Sequence, residues 1–329
     1  MTRSLLIRVQ LLSLAVLLCS GCFSSILAKT VIQAPNRDAP PRVVRNPEFG
    51  QKVAALYAQS WNLSVGPPTA ELSVAVIEPG DYQLDYKVSF KTNAQGRKRL
   101  ATDLNWVVPN LTHSKPRRPK GTLLILHGYR DAKEDVLHWG IALAEAGYRC
   151  VLVDFRGHGE STGAVISYGA FEARDLELVV DDLKRKRLFS NHIGVLGVSY
   201  GASVGLLLAS QDDRVKTVVA LEPYSRAATG VVEFARGVAP TQTAKISDAT
   251  FQKGLDLAEK RGGFQWADAD VFAGMETVQA TVFLLHGEKD NWLSPINSRQ
   301  LIKNAPKGSQ LGLIAEDNHL SLASVFTPS

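Results

Sequence analysis

Continuous apolar runs alternate with segments of helical periodicity over most of the chain after residue 120. A short apolar run between turn signals predicts a strand that is buried on both faces, and apolar residues three and four positions apart predict a helix that covers such strands. This alternation predicts a mostly parallel central sheet that is flanked by helices. The predicted strands are Thr122–Leu126, Tyr148–Asp154, His192–Leu196, Val215–Leu221, Ala280–Leu285 and Gln310–Ala315, and the predicted helices are Asp131–Ala146, Ala170–Arg187, Ala202–Ser210 and Pro295–Asn304.

The pattern before residue 120 is different, because apolar and polar positions alternate there and turn residues are frequent. Such alternation predicts antiparallel strands at one edge of the sheet. These strands are Leu72–Ile77, Tyr82–Thr92 and Asn105–Val108, and a predicted helix over Pro47–Trp61 precedes them. Residues from about Lys29 to Arg45 are polar and include three prolines, so we expect a tether over residues 22–45, before a folded domain over residues 46–329.

One segment, Pro223–Thr277, interrupts the alternation of strands and helices. It has helical periodicity but no clear strand pattern. An insertion at the carboxyl ends of parallel strands can cover a binding site, because reactive groups collect at that edge of the sheet. We therefore expect a short helical cap over about residues 223–277. A packing helix with long loops is the alternative.

The first residues have the pattern of an export signal. Arg3 and Arg8 precede the apolar run Leu11–Leu18, and small residues follow this run. The order predicts a signal peptide over residues 1–21, and the apolar run is too short for a comfortable membrane span. The triplet Ser20-Gly21-Cys22 resembles the bacterial lipobox, in which the cysteine is acylated, for example with palmitate, and becomes the mature N-terminus.

Acylation of Cys22 would make the protein a lipoprotein that is anchored to a bacterial membrane, facing the periplasm or another part of the cell envelope. One departure from the lipobox is Cys19, at a position where that motif usually has leucine. The alternative is a secreted protein, with cleavage after Ala28.

Length, charge and cysteine content exclude several classes of partner. The 329 residues are compatible with one large α/β domain, and the net charge of +5 includes the two arginines of the predicted signal peptide. The densest basic cluster, Lys115–Lys120, lies among prolines as in a solvated linker, and no basic surface laced with aromatics predicts a nucleic-acid partner. Cys150 lies in a predicted apolar strand, which favours a buried, unreactive thiol. No zinc-like spacing of Cys and His is present, and we expect no metal and no cofactor.

The residues Gly197-Val198-Ser199-Tyr200-Gly201 lie between a predicted strand and a predicted helix of small residues. A serine at the apex of a strand–turn–helix motif is held in strained backbone geometry, with its hydroxyl exposed and amide groups beside it. The flanking glycines are expected because a Cβ would clash where strand and helix pass closely. This placement makes Ser199 the candidate nucleophile.

A serine hydroxyl needs an imidazole that accepts its proton and an acid that orients the imidazole. Asp290 follows the strand Ala280–Leu285, and His319 follows the strand Gln310–Ala315. Both residues are therefore expected at the same edge of the sheet as Ser199. We expect Asp290 to be the acid and His319 to be the base.

Other residues are candidates for the same two roles. Glu222 follows the strand after the nucleophile, and Asp317 is two residues from His319, so either carboxylate could supply the acid. His127, His158 and His286 also lie near strand ends. His319 is favoured because, among these histidines, it is the one that follows Asp290 on the last predicted strand.

The charge that develops on a reacting carbonyl oxygen needs two N–H donors, and the loss of one donor costs about 3–4 kcal/mol of transition-state stabilisation. The Tyr200 amide directly follows the nucleophile, and the loop after Thr122–Leu126 begins with His127-Gly128-Tyr129. We expect the amides of Tyr129 and Tyr200 to form this oxyanion hole. The His127-Gly128 pair could instead be a tight turn without catalytic function.

Five sequence features occur in a characteristic order: Leu126-His127-Gly128-Tyr129, Asp154-Phe155-Arg156-Gly157-His158-Gly159-Glu160-Ser161, Gly197-Val198-Ser199-Tyr200-Gly201, His286-Gly287-Glu288-Lys289-Asp290 and His319. Together they resemble the α/β-hydrolase superfamily, in its serine aminopeptidase and monoglyceride lipase-like branch. The resemblance covers roughly Leu72 to the C-terminus and implies an α/β-hydrolase fold. It also implies that the segment 154–161 has a structural role, as the loop after the fourth strand of that family.

These observations predict a serine hydrolase that acts on a small-molecule acyl substrate through an acyl-enzyme on Ser199. The resemblance and the short cap favour carboxylic esters, including acylglycerols. An exopeptidase, amidase or thioesterase of the same fold is the alternative. A non-catalytic binding protein of this fold is less favoured, because Ser199, Asp290 and His319 are all present. The sequence does not predict an oligomeric state.

Overall fold

The structure is a computed structural model that describes residues 20–38, 40–92, 98–107, 118–189, 192–319 and 321. Within these residues, eight strands form one sheet and two strands form a separate hairpin. The strands are β1 Gln59–Val65, β2 Ala70–Ile77, β3 Gln83–Thr92, β4 Lys98–Val107, β5 Thr122–Leu126, β6 Arg149–Val153, β7 Ile193–Val198, β8 Val215–Leu221, β9 Thr281–Gly287 and β10 Gln310–Ile314. Their order in the large sheet is β1-β2-β6-β5-β7-β8-β9-β10.

The large sheet is mostly parallel. The neighbouring strands from β6 to β10 in this order run in the same direction, whereas β1 and β2 pair antiparallel at one edge. The register aligns the carboxyl ends of the central strands, because Gly197 lies opposite Leu126 and Leu221 lies opposite both Val198 and Leu285. Groups that follow these strands therefore meet at one edge of the sheet.

Helices pack on the large sheet and on one another. They are α1 Ser20–Ile32, α2 Arg42–Arg45, α3 Pro47–Leu56, α4 Leu137–Glu145, α5 Glu172–Arg185, α6 Tyr200–Gln211, α7 Ala227–Val238, α8 Pro240–Thr243, α9 Asp248–Gly262, α10 Val271–Gly274 and α11 Ile296–Leu301. Along β5, Leu124 and Leu126 belong to one apolar core with residues of α5, whereas Ile125 belongs to a second core with residues of α4. Successive side chains of a strand point to opposite faces, so a continuous apolar strand fills both cores.

The parallel sheet, its antiparallel edge strands, the flanking helices and the helices α7 to α10 inserted between β8 and β9 confirm the predicted α/β-hydrolase fold. The observed strands from β5 to β10 agree with the predicted bounds to within two residues. These strands were predictable because each one is a buried apolar run.

The edge of the sheet differs from the prediction. The predicted strands Tyr82–Thr92 and Asn105–Val108 correspond to β3 and β4, which pair with each other as a separate hairpin. Neither strand lies beside β2, which pairs with β1 on one side and with β6 on the other. The edge strand that the prediction lacked is β1.

The predicted helix over Pro47–Trp61 is too long at its C-terminal end. The observed helix α3 ends at Leu56, and the next residue, Tyr57, has extended backbone angles, φ −79° and ψ 120°. The side chain of Asn46 caps the start of α3 by accepting a hydrogen bond from the Phe49 amide at 3.2 Å. The last residues of the predicted helix belong to β1, where their backbone groups that face β2 are paired antiparallel with that strand.

The segment predicted as a tether is partly folded against the domain. Helix α1 packs on the cap helix α9 so closely that a Cβ on Gly254 would lie 2.5 Å from the Leu27 side chain. The Arg261 guanidinium donates hydrogen bonds to the carbonyl and hydroxyl oxygens of Ser25 at 2.9 and 2.8 Å. Ala28 is fully buried. Residues of α1 are therefore part of the packed structure, which corrects the predicted tether over this part of the chain.

Residues 1–19 of the predicted signal peptide and residues 115–117 of the predicted basic linker lie outside the described residues. Among the helices of the described segments, none combines the length and the apolar character that a membrane crossing requires.

Candidate active site

Ser199 lies in a sharp turn between β7 and α6. Its backbone angles are φ 51° and ψ −107°, a region that residues with a side chain rarely adopt and that stores strain. A Cβ on Gly197 would lie 2.4 Å from the carbonyl oxygen of Gly201, and a Cβ on Gly201 would lie 2.6 Å from the carbonyl oxygens of Leu126 and His127. Both positions therefore require glycine, for the steric reason that the sequence indicates.

His319 lies beside this turn. Its Nε2 atom is 2.9 Å from Ser199 Oγ, and its Nδ1 atom is 2.6 Å from Asp290 Oδ2. Because a carboxylate accepts hydrogen bonds, Nδ1 carries the proton of the neutral imidazole, and the lone pair of Nε2 faces the serine hydroxyl. An imidazole in this tautomer can accept the hydroxyl proton, while the carboxylate stabilises the imidazolium that forms.

Asp290 is held in position by several donors. Its Oδ1 atom accepts hydrogen bonds from the amides of Trp292 and Leu293 at 2.8 and 2.9 Å. His286 Nε2 lies 3.2 Å from its Oδ2 atom. Burial alone would raise the pKa of Asp290, but the hydrogen bonds from His286 and His319 outweigh burial and hold this pKa well below its usual range. The carboxylate therefore stays ionised beside His319.

Within the described residues, neither alternative acid makes a hydrogen bond to the imidazole. Glu222 Oε2 is 3.6 Å from His319 Nδ1, which is longer than a hydrogen bond. Asp317 accepts a hydrogen bond from the Lys289 amide through its backbone carbonyl, and within the described residues its carboxylate makes no hydrogen bond to His319. The structure thus brings Asp290 to His319, as the strand order predicts.

The other histidines near strand ends make hydrogen bonds outside the Ser199–His319–Asp290 series. His127 has Nδ1 2.8 Å from the Gly128 carbonyl oxygen, and its Nε2 atom accepts a hydrogen bond from the Phe155 amide at 3.1 Å. Burial lowers the pKa of His127 to about 4 and that of His158 to about 3. His286 lies between the Ser298 hydroxyl and the Leu293 carbonyl, at 2.8 and 3.0 Å.

The two predicted oxyanion-hole residues lie on either side of the Ser199 turn. Tyr200 is the first residue of α6, so its amide has no carbonyl four residues earlier within the helix. The Tyr129 amide donates no hydrogen bond to another part of the described structure. The two tyrosine rings are 6.3 Å apart between centroids, which brings the loop after β5 to the Ser199 turn. Both amides therefore remain candidates for the oxyanion hole.

The segment from Asp154 to Ser161 forms a hydrogen-bonded loop next to the site. The Lys133 ammonium lies 2.8 Å from the Asp154 carboxylate, and both side chains are buried. Arg156 is also buried, and its guanidinium makes a bidentate pair with Asp175 at 2.6 and 2.8 Å. These bonds hold the loop in place, in agreement with the structural role that the resemblance implies.

Aromatic residues border the site, and the sequence reasoning did not single them out. The Trp292 ring lies 5.2 Å from the His319 ring, and Phe234 of the cap helix α7 lies 5.6 Å from Trp292 and 5.7 Å from Tyr129, all measured between centroids. Trp292 could have been noticed as the aromatic residue two positions after Asp290. Phe234 could not, because only the fold brings α7 to this edge.

Some side chains of the site carry carboxylate or imidazole groups, which can also bind metal ions. In the described residues, the one group that could hold an ion consists of Glu222, Asp290 and His319, with ligand atoms within 4.8 Å of one another. His319 already uses its two nitrogens for Asp290 and Ser199. A metal would have to replace one of these hydrogen bonds, so the arrangement fits proton transfer better than metal coordination.

The chain is similar to a peptidase family and to two proteins of Bacillus subtilis. The profile of the X-Pro dipeptidyl-peptidase (S15) family matches residues 75–263, a range that includes Ser199 and ends before Asp290. The chain is 25% identical over 217 residues to the uncharacterised protein YqkD of Bacillus subtilis (strain 168), which covers 64% of this chain and 68% of YqkD. It is 29% identical over 109 residues to YitV of the same organism, which is provisionally named an esterase; this match covers 33% of the chain and 42% of YitV.

Among solved structures, the esterase Pf2001 of Pyrococcus furiosus is similar. The superposition has a TM-score of 0.55 at 20% sequence identity and covers 86% of this chain and 92% of the esterase. A likeness at this level of identity shows a shared fold.

Proposed function

The chain belongs to the X-Pro dipeptidyl-peptidase (S15) family and is a hydrolase of the α/β-hydrolase superfamily, and from this premise we propose that it cleaves carboxylic esters through an acyl-enzyme on Ser199. The observation that carries the proposal is the hydrogen-bonded series from Asp290 through His319 to Ser199. A hydroxyl is an activated nucleophile when a neutral imidazole can accept its proton and an ionised carboxylate orients that imidazole.

In the proposed reaction, Ser199 Oγ attacks the carbonyl carbon of the substrate while His319 Nε2 accepts the hydroxyl proton. The amides of Tyr129 and Tyr200 donate hydrogen bonds to the negatively charged oxygen of the tetrahedral intermediate. Collapse of the intermediate breaks the bond to the leaving alcohol, which takes the proton from His319. Water then attacks the acyl-enzyme, His319 accepts a proton from the water and returns it to Ser199, and the carboxylic acid leaves.

The aromatic residues beside the site support an acyl substrate with apolar surface. Tyr129, Phe234 and Trp292 offer apolar surface beside the nucleophile, and each is half-buried, so a substrate could cover them further. The match to YitV favours ester hydrolysis as well. Cleavage of peptides or other amides is the second candidate, and the family match to a peptidase favours it.

Matched substrates separate the two candidates. Esters and amides with the same acyl groups, presented to the wild type and to Ser199→Ala, give kcat/KM values for each bond type. We expect kcat/KM for the esters to exceed that for the amides, and the serine variant to lose both activities. Faster cleavage of X-Pro peptides than of any ester would replace the ester proposal with the peptidase, and undiminished turnover by Ser199→Ala would reject both.

We also propose that Cys22 carries lipid and that the protein is an exported, membrane-anchored lipoprotein. The lipobox-like triplet supports this proposal. The packing of α1 supports it further, since cleavage after Ala28 would remove Ser24 and Leu27, which lie against the cap helix α9. Cys22→Ala should then move the protein from the membrane fraction to the soluble fraction. Unchanged partitioning of this variant would argue against the anchor.

A further inference from the structure

Glu222 is a buried carboxyl group at the site. The proposed reaction assigns no role to this group. It directly follows β8, and its backbone amide donates a hydrogen bond to the Leu285 carbonyl of β9 at 2.8 Å. Its side chain is fully buried, and within the described residues neither carboxyl oxygen has a hydrogen-bond partner. A buried polar group without a partner destabilises the fold, so its presence calls for a physical explanation.

The Glu222 carboxyl faces the same imidazole nitrogen as Asp290. Its Oε2 atom lies 3.6 Å from His319 Nδ1, whereas Asp290 Oδ2 lies 2.6 Å from that atom. One nitrogen or oxygen atom from each of the three side chains lies within 4.8 Å of the other two. A shift of about 0.7 Å, the difference between this separation and a hydrogen bond of about 2.9 Å, would place Glu222 in hydrogen-bond contact with Nδ1.

Two carboxylates this close, with little water around them, cannot both be ionised at neutral pH. Asp290 carries the charge, because the Trp292 and Leu293 amides and His319 donate hydrogen bonds to it. Glu222 is flanked by a single amide, that of Gly287, and neither of its oxygens accepts a hydrogen bond of normal geometry within the described residues, so Glu222 stays protonated. Burial raises the pKa of Glu222 to about 10, the charges of Asp290 and Asp317 contribute to the rise, and the Gly287 amide opposes it. The charge on Asp290 is thus one of the causes that keep Glu222 neutral.

We propose that Glu222 is a second acid of this site, a positioning residue that orients His319 whenever Asp290 does not carry the charge. In this arrangement the pair of carboxyls holds one negative charge beside Nδ1. When the Asp290 carboxylate is removed, Glu222 releases its proton to solvent, moves into the vacated space and accepts the hydrogen bond from Nδ1. The inference rests on the proposed function, because activity reports on the orientation of His319.

A double-mutant cycle on ester hydrolysis tests this proposal. Loss of the orienting acid in a serine triad lowers kcat about 10⁴-fold when nothing replaces it. We expect Glu222→Gln to lower kcat much more in the Asp290→Ala background than in the wild-type background, where Asp290 remains. Asp290→Ala should lose only about 10²-fold, and Asp290→Ala/Glu222→Gln should lose about 10⁴-fold, because only the double variant lacks both acids. Circular dichroism and thermal melting establish that each variant is folded.

A matched control separates Glu222 from other nearby charge. Asp317 also acts on the site electrostatically, so Asp290→Ala/Asp317→Asn should keep the kcat of Asp290→Ala within about threefold. Equal kcat values for Asp290→Ala and Asp290→Ala/Glu222→Gln would overturn the proposal. The proposal would also be overturned if Asp290→Ala/Asp317→Asn lost as much kcat as Asp290→Ala/Glu222→Gln.

The pH profile provides a readout that a merely structural role would not change. The titratable groups that face Glu222 are His319, Asp290 and Asp317, with His286 behind Asp290. In Asp290→Ala, kcat should rise with pH as Glu222 ionises, and the additional substitution Glu222→Gln should abolish this rise. If the double variant does not fold, the profile of Asp290→Ala decides, and a profile parallel to that of the wild type overturns the proposal.

The outcomes also distinguish this inference from the proposed function. Hydrolysis that persists in Ser199→Ala would reject the function and the inference together. Hydrolysis that depends on Ser199, with equal rates for Asp290→Ala and the double variant, would reject the second acid alone.

Discussion

His319 Nε2 lies 2.9 Å from Ser199 Oγ, although 120 positions separate the two residues in the chain. The sheet brings them together, because β7, β8, β9 and β10 are successive neighbours and all run in the same direction. Ser199 follows the first of these strands and His319 follows the last. The geometry of the site is therefore a consequence of strand order and register.

The close contact between the Ser199 turn and the loop after β5 predicts the effect of Gly201→Ala. The new Cβ would lie 2.6 Å from the carbonyl oxygens of Leu126 and His127, so the loop that carries Tyr129 must move away. The displacement of one oxyanion donor typically lowers kcat about 10²–10³-fold. We expect a loss of this size in ester hydrolysis, measured as kcat.

Gly121→Ala is the control for this substitution, because its Cβ would meet only the Tyr148 ring at an ordinary 3.6 Å. The control should keep kcat near the wild-type value. Full activity of a folded Gly201→Ala would show that the loop after β5 does not supply a donor.

The buried pair between Arg156 and Asp175 predicts a large loss of stability in Arg156→Met. The substitution leaves the Asp175 carboxylate without its bidentate partner, and breaking a buried pair typically costs about 3–5 kcal/mol. We expect the free energy of unfolding, measured by urea denaturation, to fall by this amount. Arg185→Met, which removes an exposed arginine paired with Asp182, should cost at most about 1 kcal/mol. Similar losses in the two variants would contradict the structural role of the loop.

Glu222 predicts how stability depends on pH. The unfolded chain loses the Glu222 proton near the ordinary pKa of 4.5, whereas the folded protein holds it up to a pKa of about 10. Between these values the unfolded state binds fewer protons, so this group lowers stability as pH rises, by at most about 1.4 kcal/mol per pH unit. Glu222→Gln lacks this titration. The melting temperature of Glu222→Gln minus that of the wild type should therefore increase from pH 5 to pH 9.

The difference between the two proteins is the quantity to measure, because the titration of Asp290 and of the other carboxylates is common to both and largely cancels. A difference in melting temperature that stays constant over this pH range would mean that Glu222 is not held protonated.

The position of Phe234 predicts a change in substrate preference. The ring lies between Tyr129 and Trp292 at the border of the site, so its removal takes away apolar surface that a longer acyl chain would contact. A loss of about 1–2 kcal/mol of binding corresponds to a roughly 5–30-fold lower kcat/KM for long-chain p-nitrophenyl esters in Phe234→Ala. Acetate esters should be affected much less.

Val238→Ala serves as the control on the same helix, since Val238 is exposed at the end of α7. Its chain-length profile should match that of the wild type. A uniform loss over all chain lengths in Phe234→Ala would indicate damage to the fold rather than a lost contact with the acyl chain.

Most of the sheet is predictable from the sequence, and the exceptions have physical reasons. Each strand from Thr122 onward is a buried apolar run, which is a strong local signal. The edge strand Gln59–Val65 is not, because most of its side chains remain partly or fully exposed and its apolar positions are few. The contact between Leu27 and Gly254 leaves no local signal either, because it joins segments far apart in the chain.

The site, like the sheet, is predictable from the sequence only in part. Strand order predicts that Ser199, Asp290 and His319 meet at one edge, and the structure places them within hydrogen-bond distance. The choice between two acids at that edge depends on distances of 2.6 and 3.6 Å from His319 Nδ1, which spacing in a sequence cannot supply. The border residue Phe234 likewise depends on how the cap folds.

Covalent labelling of Ser199 tests the central claim most directly. A fluorophosphonate forms a stable bond only to a serine whose proton is accepted by a neighbouring base. Mass spectrometry of the digested protein should find the phosphonyl group on the peptide that contains Ser199, with no labelling of Ser199→Ala and strongly slowed labelling of His319→Ala. A label on another residue, or persistent labelling and ester hydrolysis in folded Ser199→Ala, would contradict the account.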